Sequence, residues 1–288
     1  MDNKNNIASA NRKYKDSIFT KLFGEKDKLA ELYNAISGTN YTSADIGLLT
    51  LENIIFIGRE NDIAFMIDGR LIVLVEHQSS INPNMPLRFL LYIAREYQIL
   101  ADNEAMYSSR LVKIPPPEFI VVYNGKDEYP EESELNLSDA FIDSGIDNLE
   151  LKVKVYNINK GYSANIMSRS GTLSDYSTFV ARARANRDAG LDLPKALEKA
   201  VKDCVQDNVL KNFLTKYGSD VINMLSLEFN LDDALRVREN DGIEKGKEKI
   251  AEKLLRNGMT NEFVVDNTEL SIERVQEIAK KINNNNIR

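Results

Sequence analysis

Cysteine and histidine are almost missing from this chain: its 288 residues hold one of each, Cys204 and His77. A single cysteine excludes an internal disulfide, a cysteine zinc site and a CxxC redox pair. A single histidine leaves little room for a histidine-rich metal site or a zinc finger. Any Ser-His-Asp or Cys-His mechanism would have to run through His77. Runs of about 18 apolar residues are also missing, and the opening MDNKNNIASANRKY has no apolar signal-peptide core. The sequence therefore predicts a cytoplasmic protein with no membrane partner. Acidic residues outnumber basic ones, 44 to 37, for a net charge of −7. That balance argues against a wholly basic nucleic-acid surface but leaves room for a local groove. Carboxylate chemistry is what these absences leave.

The carboxylates that matter most fall in Asn61–Gln78, NDIAFMIDGRLIVLVEHQ. Leu71 to Val75 is a continuous apolar run, as in a strand buried on both faces, and it ends abruptly in Glu76-His77-Gln78. A two-residue turn at Asp68-Gly69 would put Asp62 and Glu76 on opposite faces. A three-residue loop, Asp68-Gly69-Arg70, with Gly69 or Arg70 at positive φ, pairs Ile67 with Leu71 and sets Asp62 opposite Glu76. Gln78, two residues on, then shares their face, and His77 points away.

The rest of the chain places this hairpin in a mixed α/β layer. Residues 1–13 read as a solvated tail. Two helices follow, with Gly24 and Gly38 as their stops and Asp16 at the first start, either as a dipole-pairing residue or as a site carboxylate. A strand is expected within Leu49–Gly58, around Ile54 to Ile57. Turn residues 79–86 lead into a helix over about 86–100, with Leu87, Leu90, Leu91, Ala94 and Tyr97 at helical spacing and Arg88 and Arg95 on its polar side. These arginines either neutralise carboxylates or hold phosphate.

Glu118 to Tyr123 reads as a buried strand, residues 126–148 as acidic and irregular with a helix-like segment at Leu137 to Phe141, and Leu149 to Tyr156 as a half-exposed edge strand. From about Ser174 the pattern is helical. Arg182, Arg184 and Arg187 either line a solvated helix face or track a phosphate backbone. Residues 232–257 are charged, with Gly242, Gly246 and Gly258 as interruptions, and read as a solvated helix, a linker or a pairing surface. Two short helices capped by Thr260 and Ser271 close the chain, as a packing or dimerisation unit or in helix-turn-helix proportions.

Two carboxylates at strand ends suit a hard divalent cation such as Mg²⁺ or Mn²⁺. Asp62 and Glu76 would be ligands, the His77 backbone carbonyl a third donor, and Gln78 would orient water or touch phosphate. Structurally, Asp62 could instead cap its strand and Glu76 could pair with Arg88. Asp62 to Gln78, with Asn82-Pro83-Asn84-Met85-Pro86-Leu87-Arg88 and Tyr92-Ile93-Ala94, resembles the Rpn family of recombination-promoting nucleases, or putative transposases, of the PD-(D/E)XK superfamily. Lys15 to Phe19, Leu22 to Gly24 and Val121 to Gly125 extend the resemblance.

The resemblance implies a restriction-endonuclease-like mixed central sheet flanked by helices over residues 14–173, then a helical extension, 174–240, and a charged linker helix with a small helical module, 241–288. It implies a metal-dependent DNA endonuclease acting in recombination, mobile-element biology or defence, with DNA as partner and a homodimer through the C-terminal helices as a further expectation. Matched position by position, Asp62, Glu76 and Gln78 form the motif, and Asp16 is the first-helix acid. Glutamine stands at Gln78 where the superfamily usually has lysine. It carries no charge, which leaves Arg88 or Lys15 to meet phosphate, or leaves a catalytically weak DNA-associated or self-assembling protein.

Overall fold

The computed structural model describes residues 18–48, 62–69, 71–101, 106–107, 109–142 and 148–285, with the backbone alone for Asp62, Ile72 and several residues within 227–239 and 283–285. Two helices come first, α1 (Ile18–Phe23) and α2 (Lys26–Ser37). Ile18, Phe19, Leu22 and Phe23 are all buried, and so are Leu29, Leu32 and Tyr33 on the inner face of α2. Gly38 ends α2 at φ 75°, a left-handed conformation that glycine adopts without a Cβ clash.

Six strands form one mixed sheet in the order β1-β2-β3-β4-β6-β5. They are β1 (Ile46–Leu48), β2 (Asp62–Ile67), β3 (Leu71–Gln78), β4 (Pro117–Tyr123), β5 (Glu132–Asn136) and β6 (Lys152–Asn157). β2 and β3 are an antiparallel hairpin, and β3, β4 and β6 run parallel. Helix α3 (Met85–Leu100) makes the crossover from β3 to β4 that a parallel pair requires. This is an α/β layer of the kind expected for a nuclease-like fold.

Helices cover both faces of the sheet. Phe89, Tyr92 and Ile93 of α3 pack on Ala64, Leu74, Phe119, Val121 and Val155. On the opposite face, Phe19 of α1 stacks on His77 and Tyr33 of α2 meets Phe65 edge to face. Then come α4 (Ala164–Arg169), α5 (Gly171–Asp188), α6 (Leu193–Gln206) and α7 (Lys211–Arg256).

The chain divides into two compact units, Met1–Glu228 and Phe229–Arg288, and the division falls inside α7. The second unit packs the end of α7 with α8 (Asn261–Thr268) and α9 (Ile272–Asn285) around Ala251, Val264, Leu270, Val275 and Ile278. The Thr260 side chain accepts from Phe263 N, and the Ser271 hydroxyl accepts from Arg274 N, so both act as caps.

Several local expectations are corrected. Glu132–Asn136, within the stretch read as irregular, is a strand, and it makes β6 an interior strand rather than an edge. Antiparallel pairing with β6 holds it, and Leu135 packs against the core; the Lys152–Glu134 ion pair at 3.0 Å is exposed and adds little. Leu87 and Leu91 face outward, and the buried side of α3 is Met85, Phe89, Tyr92, Ile93 and Glu96. Gly242 and Gly246 do not interrupt α7. Helical structure begins at Ala164, ten residues before Ser174. The strand expected around Ile54 to Ile57 lies outside the described residues; β1 comes just before it.

Candidate active site

The hairpin loop sets the register on which everything here depends. Gly69 has φ 65°, as a three-residue loop predicts, and Asp68 also takes positive φ, 49°. Asp68 N donates to the Asp45 carbonyl at 2.9 Å, which holds the loop against the segment before β1. Ile67 pairs with Leu71, and Asp62 stands directly opposite Glu76. The expected juxtaposition of these two backbone positions is therefore present.

Glu76 and Gln78 project from β3 toward the first turn of α3. Both are buried, with Glu76 3% exposed. Arg88 Nη1 lies 2.8 Å from Glu76 Oε1, and Gln78 Nε2 donates to the same oxygen at 3.0 Å. Arg88 Nη2 donates to the Tyr92 hydroxyl at 2.8 Å, one helical turn on. Gln78 Nε2 also meets Met85 Sδ at 2.7 Å. Glu76 Oε2 is buried and has no hydrogen-bond partner among the described residues. A buried carboxylate oxygen without a partner is costly, and a site for an ion is one of the recurring reasons it persists.

The other positions separate clearly. His77 faces the opposite side of the sheet, stacked on Phe19 at 5.0 Å between ring centres, with Nε2 3.1 Å from the Tyr176 hydroxyl. Burial, with the nearby Arg184 charge, pushes its pKa down to about 3. A neutral, enclosed imidazole is thus built into the packing against α1 and α5. Lys15, Asp16 and the Asp62 side chain lie outside the described residues. Among the described residues no group of three or more histidine, cysteine, aspartate or glutamate side chains is placed to hold a metal. Glu76 is the proposed ligand whose side chain is described.

The basic run on α5 is not a uniform solvated face. Arg182 pairs with Asp207 at 2.7 Å, and Arg184 hydrogen-bonds Asn124, Gly125 and Asn159 at the ends of the strands. Sequence reasoning also passed over Glu96. It is 2% exposed on the inner face of α3, burial raises its carboxyl above the usual range, and its Oε1 has no partner among the described residues. It follows Arg88 and Tyr92 at four-residue spacing, so the three share one helix face.

A family profile described as "Putative transposase, YhgA-like" matches residues 15–177, more than half of the chain. No curated protein and no solved structure matches.

Proposed function

The chain belongs to the YhgA-like putative transposase family, the Rpn/YhgA group of the PD-(D/E)XK superfamily, and from that premise we propose that it is a metal-dependent DNA endonuclease. The family points to a nuclease-like role in mobile elements; the finer reading is phosphodiester hydrolysis in recombination, mobile-element biology or defence. The observation that carries it is the spare buried oxygen of Glu76, a residue whose backbone pairs with that of Asp62 across the hairpin. A hard divalent cation fits that donor chemistry.

Asp62 and Glu76, with the His77 backbone carbonyl, would hold Mg²⁺ or Mn²⁺, and Asp16 would join from the segment before α1. When bound, such a cation polarises the phosphodiester and activates water. Arg88 orients Glu76 through Oε1, which leaves Oε2 for the cation. Gln78 fixes the same carboxylate and presents an amide able to orient water or to touch phosphate. Hydrolysis joins the water oxygen to phosphorus, breaks one P–O ester bond and leaves a phosphate monoester and a sugar hydroxyl. Lys15 and Arg88 are the cations available to meet phosphate in place of a motif lysine.

A second reading is favoured by one specific observation: Gln78 supplies no charge, and Arg88 is already paired with Glu76. It is a DNA-associated protein that cuts poorly. Closed circular plasmid with Mg²⁺ or Mn²⁺ separates the two readings. An endonuclease converts circles to nicked and linear forms and stops when EDTA is added. Retarded DNA that stays closed supports the second reading.

A further inference from the structure

Arg184 lies past the last family-matched residue, on α5, yet it reaches the carboxyl ends of the strands. Its Nη1 donates to Asn124 Oδ1 at 3.1 Å, to Asn159 Oδ1 at 2.9 Å and to the Gly125 carbonyl at 3.3 Å, and Nη2 donates to the Asn124 carbonyl. Asn124 N donates to the Gln78 carbonyl at 2.8 Å. The chain leaving β4 is thus bonded to the last residue of the proposed motif.

The packing there has no slack. A Cβ on Gly125 would stand 2.4 Å from the Ser79 carbonyl oxygen and 2.3 Å from the Tyr123 hydroxyl oxygen, so only glycine fits. Asn159 Nδ2 donates to the Gly125 carbonyl at 3.0 Å and to Asn157 Oδ1 at 2.9 Å, which ties in the end of β6. Asn124 and Asn157 are both buried. Carbonyls at the ends of parallel strands have run out of ladder partners, and one planar guanidinium meets several of them at once.

We propose that Arg184 is a positioning residue for the Glu76–Gln78 site, holding the ends of β3, β4 and β6 so that Gln78 stays bonded to Glu76. This rests on the reading of that site as catalytic. It makes α5 part of the nuclease unit, and it assigns Arg184 a different task from Arg182, which pairs with Asp207. The competing role for Arg184 is a DNA phosphate contact. The two differ in what lysine can replace: an ammonium serves a phosphate but not a planar set of carbonyls.

The test compares wild type, Arg184→Lys, Arg184→Met and the control Arg182→Met in the full chain. Amide hydrogen exchange and plasmid-cleavage kinetics are the two readouts. Both Arg184 variants are expected to speed exchange at Asn124 tenfold or more. They should lower kcat about tenfold, with KM within twofold and an unchanged salt slope of DNA affinity. Arg182→Met should do none of this. Restoration by lysine, or a loss confined to KM with a shallower salt slope, overturns the proposal in favour of phosphate contact. Lower thermal stability with full activity per folded molecule overturns it too, as does unchanged exchange. Wild-type protein that cuts nothing sinks the catalytic reading instead, and exchange alone then decides whether Arg184 holds the strand ends.

Discussion

Glu76 has one oxygen committed and one open, and that asymmetry reconciles two roles that look exclusive in sequence. Pairing with Arg88 uses Oε1, whereas the metal reading needs Oε2. Removing Arg88 should leave a buried carboxylate held by Gln78 alone. Arg88→Met is expected to cost about 2 kcal/mol, below the usual range for a broken buried pair because the guanidinium is partly exposed. Urea unfolding with and without Mn²⁺ measures this. The variant should gain more stability from Mn²⁺ than wild type does, and equal gains would mean that the open oxygen does not meet the cation. The geometry of Glu76 and Gln78 was legible because period-two alternation and loop length fix a hairpin register. Glu96 was not, because nothing in RE-Y-Q says which charged residue of a helix turns inward. Only the packing of Phe89, Tyr92 and Ile93 decides that.

Between elements, the clearest polar link is Glu31 of α2 at the start of α5. It accepts from Thr172 N at 2.8 Å, from the Thr172 hydroxyl at 2.8 Å and from the Ser170 hydroxyl at 2.9 Å. Burial pushes its carboxyl up, but these hydrogen bonds and the Lys28 charge outweigh burial and hold it below the usual range. A carboxylate whose folded pKa is lowered stabilises the protein above its unfolded pKa, and this is lost as pH falls through the folded value. Wild type should therefore be more stable than Glu31→Gln at pH 7, and the gap should narrow as pH falls below the ordinary glutamate value of about 4.3. Denaturation midpoints at several pH values would show a constant gap if the link is not ionic.

In α7, Gly242 and Gly246 have no neighbouring atom within 4 Å of an added Cβ. Gly246→Ala should stabilise the second unit by up to about 1 kcal/mol, read from thermal melting; a loss would show that the added methyl meets a partner. Glycine there looked like punctuation, but the 46-residue helix runs through it. The residues on either side are good helix formers, and glycine's weak propensity does not end a helix by itself. Strand β5, ESELN, was illegible for the converse reason. One leucine in five residues gives no alternating signal, and pairing with β6 supplies the order that pattern does not.

Taken together, the matched region 15–177 spans the whole sheet and the first turns of α5, and the strand-end contacts of Arg184 carry the same structure past its limit. Mixed sheet, crossover helix and helical C-terminal region all follow from apolar runs, turns and helical spacing. The division inside α7, between Glu228 and Phe229, falls just before the charged stretch 232–257 begins. A net charge of −7 makes DNA an unfavourable partner for the protein as a whole. A divalent cation held between Asp62 and Glu76 would cancel their two charges locally. The decisive measurement is nicking of closed circular plasmid in Mg²⁺ or Mn²⁺ by wild type, Asp62→Ala and Glu76→Ala, each checked for folding. Wild type should cut, and each variant should lose at least a hundredfold in rate, about 2.7 kcal/mol or more of transition-state stabilisation. Cutting at equal rates by all three proteins would show that the chemistry is not at the end of this hairpin.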